Sequence, residues 1–476
     1  MTPPAEHDEP TSDGDGQRLR GRNGGDRNGG ASPQPLGLAP TGRVEGELLL
    51  GGSKSLAQRA LIAAGLASGT TRITRVPQAD DVRAATRLIQ ACGASVRQLT
   101  PAALEIQGLP PGPHRGWSAT EGVDAGESGT LARLATAALA FCGRAGAEHV
   151  VRVSGTLARR SSPPLFAALE RADVGLASER PGGWPVRLTS VGPPPDVYLD
   201  TPVSSQELSG LLISLAAWPG TTTVHVDGPI PSRPYVDMTR AVLADFGVRV
   251  DVEAGSEAQE RFVVRGPLEP PAAPLELEPD ASSAAVALAA ACLSGGELRV
   301  PGLGRASRQG DVRIVEYLRA FGCQAEAEER ALVASGAPSR AAELDLSEAP
   351  DLAPVLAAVA ARVAHQHGQS STLVGLGTLP GKESSRIDVL ATGLRATGLE
   401  AVAGSDRLRI GPPNKEGATP GPAAALDPHG DHRMAFAFAL VGLIVPGVRV
   451  DDPGCVAKSW PGFWEDLAGL GAHLER

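Results

Sequence analysis

Lys54 and Ser55, set after Gly52 and Ser53 and followed by Arg59, place an ammonium, a hydroxyl and a guanidinium at the start of the small apolar run 60–67. The first turn of a helix carries unpaired N–H groups and a partial positive charge, so a start of this kind with two cations added attracts phosphate or carboxylate. A nucleotide-binding phosphate loop needs Gly directly before its Lys, and Ser53 stands there instead, which argues against ATP. The plainer alternative is a Ser-capped helix with a solvated Lys and Arg.

Similar junctions recur along the chain. Asp124 leads through Glu127, Ser128 and Gly129 to Thr130 and Arg133, repeating the pattern of glycine, hydroxyl and arginine. Ser204-Ser205-Gln206 opens a further apolar run, and Ser232-Arg233-Pro234-Tyr235 and Asp280-Ala281-Ser282-Ser283 open others. In the second half Asp351 opens a buried helix, Lys382-Glu383-Ser384-Ser385-Arg386 the next, and Asp431-His432-Arg433-Met434 the last apolar one, with Lys458 after Cys455. Taken singly each fits a helix cap. A charged triplet before the nearly wholly apolar stretch 434–445 is costly to bury unless paired or ligated, and that points to function.

The elements that must position these groups repeat. A small-residue apolar helix, a Gly-containing turn and a β-branched strand occur at 61–76, 134–153, 211–226 and 285–300, with looser copies at 355–374 and 435–450, a spacing of roughly 70 to 80 residues. Between them lie more amphipathic helices ending at Gly and leading into short strands, so each unit is predicted to run β-α-β-α-β-β. Helices with hardly a polar face belong inside and amphipathic ones outside. Six units in two groups of three predict an α/β protein of two similar domains, divided near 278–283, with a site in the cleft between them.

Length and composition agree. At 476 residues and 42% hydrophobic content the chain has ample material for two cores. A net charge of −10 and 3% aromatic residues argue against nucleic acid as a partner, so any cluster of cations must be local. Cys92, Cys142, Cys292, Cys323 and Cys455 are scattered without a paired spacing and read as buried thiols of a reducing compartment. No stretch reads as a membrane span or an apolar leader, so a cytoplasmic protein without a membrane partner is expected. Residues 1–34, rich in Gly, Asp, Arg, Asn and Pro, read as a disordered tail rather than a transit peptide, which would be poor in acidic residues.

In order and spacing these motifs resemble the enolpyruvyl transferase family, in particular its members acting on shikimate 3-phosphate, over residues 36–474. The resemblance implies two inside-out α/β domains of three βαβαββ repeats each, residues 53–277 forming one and 35–52 with 278–476 the other. It implies transfer of the enolpyruvyl group of phosphoenolpyruvate to the 5-hydroxyl of shikimate 3-phosphate, with release of phosphate, by a monomer needing no metal or organic cofactor. By motif position Lys54, Ser55, Arg59, Ser204, Ser205, Gln206, Ser232, Asp351, Thr378 and Lys382 are expected at shikimate 3-phosphate. Lys54, Gly129, Gln206, Arg386, Arg433 and Lys458 are expected at phosphoenolpyruvate, with Arg160 or its neighbour Arg159. Asp351 is implied as acceptor of the hydroxyl proton, and Glu383 and Lys54 as partners in proton transfer at the methylene carbon.

Several positions depart from the family pattern. Glu127 replaces Asn or a neutral residue, Thr378 stands where Asn is common, Ser385 replaces Asp, and Gly51 replaces Pro. The segment that usually contributes an Arg-Pro reads Arg159-Arg160-Ser161-Ser162-Pro163; aligned on the run 164–169, Arg160 takes the arginine's place, with Arg159 as the alternative. Two alternatives follow: a relative that binds anions without turnover, and the sister enzyme acting on UDP-N-acetylglucosamine. The latter carries a Cys in the loop corresponding to 155–164 and Asn after the first Lys, whereas this chain has no Cys there and has Ser55.

Overall fold

The computed structural model describes residues 34–112, 114–119, 121–255, 259–413 and 424–476. The tail predicted at 1–34 lies, but for its last residue, outside them.

Six helices of Ala, Leu and Val with no polar face have nowhere to go but inside. Lys54–Leu66, Gly129–Cys142 and Ser205–Ala216 pack on one another at the centre of the first half. Ala281–Ser294, Ala353–His367 and His432–Gly442 do the same in the second. The amphipathic helices Asp80–Ala91, Pro163–Arg171, Pro234–Asp245, Ile314–Ala320, Arg386–Ala396 and Phe463–Gly469 alternate with them along the chain. Each turns its apolar side to the core and its charged side outward.

The sheets repeat one order. Asp196–Asp200 runs parallel to Gly220–Asp227, which pairs antiparallel with Gln259–Gly266, and Arg249–Ala254 forms the far edge. Four more sheets follow this order, and in the sixth unit it is split into Ala425–Leu426 with Arg449–Val450 and Gly37–Ala39 with His473–Glu475, joined by a bridge from Leu36 to Val450. Besides Gly37–Ala39, two further strands are supplied from outside the repeat they complete. Leu275–Glu276 lies parallel to Thr70–Thr74, and Gly46–Glu47 lies parallel to Glu297–Pro301.

The strand Gly46–Glu47, a few residues before Lys54, therefore belongs to a sheet of the second half. Leu48 N still donates to Arg299 O at 2.9 Å, but the chain must then leave that sheet to reach the first helix, and Leu49 is 77% exposed. The return passage runs beside it: Ser53 N donates to Glu278 O (2.8 Å) and Asp280 N to Gly51 O (3.0 Å). On either side of this double crossing lie separate apolar cores. One is built from residues between 56 and 277, the other from 38–50 and 281–472. Cys92, Cys142, Cys292 and Cys323 are buried free thiols and Cys455 is half-buried. Among the described residues no helix is long and apolar enough to cross a membrane.

Candidate active site

All the buried helices but Ala281–Ser294 have their N-termini at one cavity of about 590 Å³ between the two halves. Capping and site reading turn out to be complementary. The Ser53, Ser128 and Ser204 side chains accept hydrogen bonds from Leu56 N, Leu131 N and Gln206 N, and the residues after them, Lys54 and Ser55, Gly129 and Thr130, and Ser205 and Gln206, line the cavity, joined by Ser128 and Ser204 themselves. Asp431 caps its helix in the same way through Arg433 N, and His432 and Arg433 line the cavity. Several helix dipoles thus converge with their positive ends on the same space.

The wall from the first half is cationic with few counter-charges. Arg59 is 1% exposed; its Nε donates to Thr239 Oγ1 (2.8 Å) and its Nη1 to Ser55 O (2.9 Å). Arg133 Nε donates to Ser162 Oγ (3.0 Å), and its Nη1 donates to Gly129 O (3.0 Å) and Gln206 Oε1 (3.2 Å). Neither contacts a carboxylate among the described residues, and burial pulls both guanidinium groups down to about 10. Gln206 Nε2 donates to Thr130 Oγ1 at 2.9 Å, which fixes the amide. Ser232 lines the cavity in the left-handed conformation, φ 51°, a strained setting for a non-glycine residue. Lys54 has a direct counter-charge, its Nζ 3.0 Å from Asp81 Oδ2, and Arg133 an indirect one in the buried Glu207, to which the Ser162 hydroxyl donates.

Of the two arginines that the sequence leaves open, Arg159 is exposed at the cavity mouth and Arg160 turns inward. A Cβ at position 129 would stand 2.9 Å from Arg160 Nη1, so only glycine lets that guanidinium lie against the helix start. Burial lowers the Arg160 pKa, opposed by the carboxylate of Glu383.

The wall from the second half pairs its charges. Arg386 Nε donates to Asp431 Oδ2 (2.8 Å) and its Nη1 to Asp351 Oδ1 (2.9 Å). Lys382 Nζ is 3.3 Å from Asp351 Oδ1 and Arg433 Nη2 is 3.4 Å from Asp351 Oδ2. Burial opposes the charge on Asp351, but Arg433, Lys382 and Arg386 outweigh it and hold the carboxyl well below the usual range. Glu383 is held low in the same way, burial being outweighed by His432, whose Nδ1 is 3.0 Å away, by Lys458 and by Arg386. Burial lowers His432, against the opposing pull of the Glu383 carboxylate. Burial likewise lowers Lys382, while Arg433 is raised because its carboxylate neighbours, Asp351 foremost, outweigh burial.

Every residue predicted for the site except Lys458 lines this cavity, Thr378 included. Lys458 is not a lining residue itself, but its Nζ is 3.2 Å from Oε1 of Glu383, which is, and 3.5 Å from Glu127 Oε2. Ser385 donates to Asp388 Oδ2, so this hydroxyl is engaged by its own helix. The side chains of Asp81, Thr130, Arg133, Tyr235 and His432 also line the cavity without having been assigned a role from sequence. Arg133 and His432 lay inside recognised motifs, whereas Asp81 begins an outer amphipathic helix and carried no local signal. Glu383, Asp431 and His432 bring ligand atoms within 4.8 Å of one another, as a metal site would. Asp431, however, is committed to Arg386 and the helix cap, and Glu383 to His432 and Lys458, which makes the group an ion-pair network.

Comparison with known proteins bears on the family and the fold. Residues 38–467 match the family model for EPSP synthase (3-phosphoshikimate 1-carboxyvinyltransferase). A 3-phosphoshikimate 1-carboxyvinyltransferase from Photobacterium profundum is 32% identical over 442 residues, covering 92% of this chain and 99% of the relative. One from Laribacter hongkongensis is 35% identical over 456 residues, with the same coverage of both chains. Among solved structures, EPSP synthase from Acinetobacter baumannii superposes with a TM-score of 0.72 at 23% identity, covering 93% of this chain and 99% of that one. The enolpyruvyl transferase NikO from Streptomyces tendae does so with a TM-score of 0.68 at 21% identity, covering 93% and 98%. At these identities the two structures bear on the fold alone.

Proposed function

The chain belongs to the EPSP synthase (3-phosphoshikimate 1-carboxyvinyltransferase) family, and on that premise we propose that it transfers the enolpyruvyl group of phosphoenolpyruvate to the 5-hydroxyl of shikimate 3-phosphate, releasing phosphate. This places it in the shikimate pathway to chorismate and the aromatic amino acids. The observation that carries the reading is the cavity itself: Lys54, Arg59, Arg133 and Arg160 from one half meet Lys382, Arg386 and Arg433 from the other in a space of about 590 Å³. Two polyanions side by side need such a set of fixed cations, and the volume suits two small substrates.

Shikimate 3-phosphate is assigned to the hydroxyl-rich wall, its phosphate to Ser204, Ser205 and Ser232 with Lys54, Ser55 and Arg59, and its ring to Gln206, Thr378, Asp351 and Lys382. Phosphoenolpyruvate is assigned to Lys54, Gln206, Arg160, Arg386, Arg433 and Lys458, with Gly129 offering its backbone N–H. The planar, two-pronged guanidinium groups suit carboxylate and phosphate. Residues 53–277 as one domain and 35–52 with 278–476 as the other is part of the same proposal, supported by the two separate cores. Closure about the double crossing would align the reactants.

The chemistry balances as addition followed by elimination. The methylene carbon of phosphoenolpyruvate gains a proton while the 5-hydroxyl loses one and its oxygen bonds to the adjacent carbon. The tetrahedral intermediate then loses a proton from the new methyl group and expels phosphate. Asp351 accepts the hydroxyl proton, and Glu383 with Lys54 exchanges the proton at the methylene carbon. Asp351 is a weak base while three cations hold it; substrate anions that draw on Arg433, Lys382 and Arg386 raise its basicity at the moment it is needed. Fixed cations around the departing phosphate stabilise its charge as it develops. We place the enzyme in the cytoplasm as a monomer, a reading supported by its unpaired buried thiols and by a cavity that one chain completes.

Phosphate release by the purified chain tests this, with phosphoenolpyruvate plus shikimate 3-phosphate as substrates and UDP-N-acetylglucosamine as the parallel acceptor. Release is expected only with shikimate 3-phosphate, and the Asp351→Ala variant should lose about 100- to 10,000-fold in kcat. Binding of phosphoenolpyruvate without release from either acceptor would sink the transferase reading.

A further inference from the structure

We propose that Glu127 is a built-in anion that competes with substrate for Lys458, so that the site binds phosphoenolpyruvate and phosphate more weakly than its cations alone would allow. The inference rests on the reading of the cavity as a phosphoenolpyruvate site.

Lys458 has one ammonium and two carboxylates. Its Nζ lies 3.2 Å from Glu383 Oε1 and 3.5 Å from Glu127 Oε2, and its side chain is only 9% exposed. Glu383 comes from the same half as Lys458 and has a second partner in His432. Glu127 comes from the other half, just before the helix Gly129–Cys142, and reaches across the cleft. The contact falls where the helix Asp80–Ala91 of the first half touches the turn Pro453–Lys458 of the second.

The backbone is shaped around this carboxylate. Gly155, at φ 55°, begins the turn Gly155–Arg159 that leads into Arg160, and a Cβ there would fall 1.8 Å from Glu127 Oε1. Glu127 thus lies flat against bare backbone, with its carboxylate directed at Lys458. A neutral side chain at 127 would leave Lys458 one carboxylate for one ammonium, free to turn its charge to a substrate. With Glu127 in place, a substrate phosphate or carboxylate must take Lys458 from an anion already beside it, and then sits next to a like charge. The same repulsion acts on the phosphate product and favours its departure.

Calorimetric titration of the full-length chain with inorganic phosphate, and separately with phosphoenolpyruvate, tests the assignment in wild type, Glu127→Gln, Lys458→Met and the double variant. Glu127→Gln, which keeps the shape and removes the charge, is expected to bind both anions about tenfold more tightly. Lys458→Met is expected to bind them more weakly, and in that background Glu127→Gln should no longer help, the non-additivity that a shared partner produces. In turnover Glu127→Gln should show a lower KM for phosphoenolpyruvate and stronger inhibition by phosphate. Equal or weaker binding by Glu127→Gln would overturn the proposal and make the pair a tether that preorganises the site. An undiminished gain in the Lys458→Met background would overturn it too, as a general field effect. Calorimetry needs no turnover, so the expected pattern in a chain that releases no phosphate would refute the transferase reading and leave Glu127 as assigned.

Discussion

The two walls of the cavity handle buried charge in opposite ways. On the wall from residues 53–277, Arg59 and Arg133 are held by hydroxyls and carbonyls, and burial pulls both down to about 10. On the wall from 278–476, Arg386 and Arg433 sit among Asp351, Asp431 and Asp311, and these neighbours raise them in spite of burial. A guanidinium with neutral partners is short of negative charge and is waiting for an anion. A guanidinium paired with carboxylates is satisfied and instead controls how readily those carboxylates take a proton. On the proposed assignment the first wall holds the shikimate phosphate with cations that lack carboxylate partners, while the second, which also binds phosphoenolpyruvate through Arg386 and Arg433, carries the two proton-transfer carboxylates Asp351 and Glu383.

The sharpest way to break this contrast is to remove one guanidinium from each wall. Arg386→Met leaves Asp431, wholly buried, without its main partner and takes one of three cations from Asp351, and breaking a buried pair costs about 3–5 kcal/mol. Arg59→Met strands no carboxylate, and Thr239 keeps its bonds to Ser209 and Tyr235 O, so its cost is expected at about 1–3 kcal/mol. Denaturant midpoints of the two variants decide the matter. Equal losses would mean that the walls do not differ in the way described. Binding should rank the other way, with Arg59→Met losing shikimate 3-phosphate affinity while its fold persists.

A smaller effect tests the first wall from within. In Gly129→Ala the new Cβ would meet Arg160 Nη1 at 2.9 Å and Arg133 Nη1 at 3.2 Å. Arg160 is the side chain free to yield, because Arg133 is held by Ser162, Gly129 O and Gln206. We expect the KM for phosphoenolpyruvate to rise about tenfold, the loss of one hydrogen bond to a charged group, with little change in thermal midpoint. An unchanged KM would remove Arg160 from the phosphoenolpyruvate site and reopen the choice of Arg159.

How much of this was legible in the sequence follows from the range of the interactions. The buried helices announce themselves because a helix apolar on every side has one place to go, and their capped, cationic starts lie within a few residues of the apolar runs. The motifs at 52–59, 128–133, 204–206, 382–386 and 431–434 therefore located most of the cavity. Contacts between distant segments left no local trace. The pairing of Lys54 with Asp81, the borrowing of Gly46–Glu47 and Leu275–Glu276 by sheets of other repeats, and the reach of Glu127 to Lys458 depend on how the halves meet. Alignment on the run 164–169 favoured Arg160 over Arg159, but residue type did not distinguish them, and it is the path of the turn Gly155–Arg159 that sends one inward.

The smallest expected effect concerns protons on the second wall. Burial lowers His432 from its ordinary 6.5, so the unfolded chain takes up a proton near that pH while the folded chain does not yet. The unfolded state then binds more protons, and stability must fall as the pH drops below about 6.5. The slope from one such group is at most about 1.4 kcal/mol per pH unit. His149 of the first half is lowered as well, also by burial, so His432→Gln should shrink the slope rather than abolish it. Gln keeps an N–H for Glu383, which separates loss of the titration from loss of the hydrogen bond at 3.0 Å. Urea midpoints between pH 5.5 and 7.5 read the difference. A slope unchanged in His432→Gln would show that the imidazole carries a proton in the folded state, paired to Glu383 as an ion. The second wall would then hold one more cation than described, and its contrast with the first would narrow.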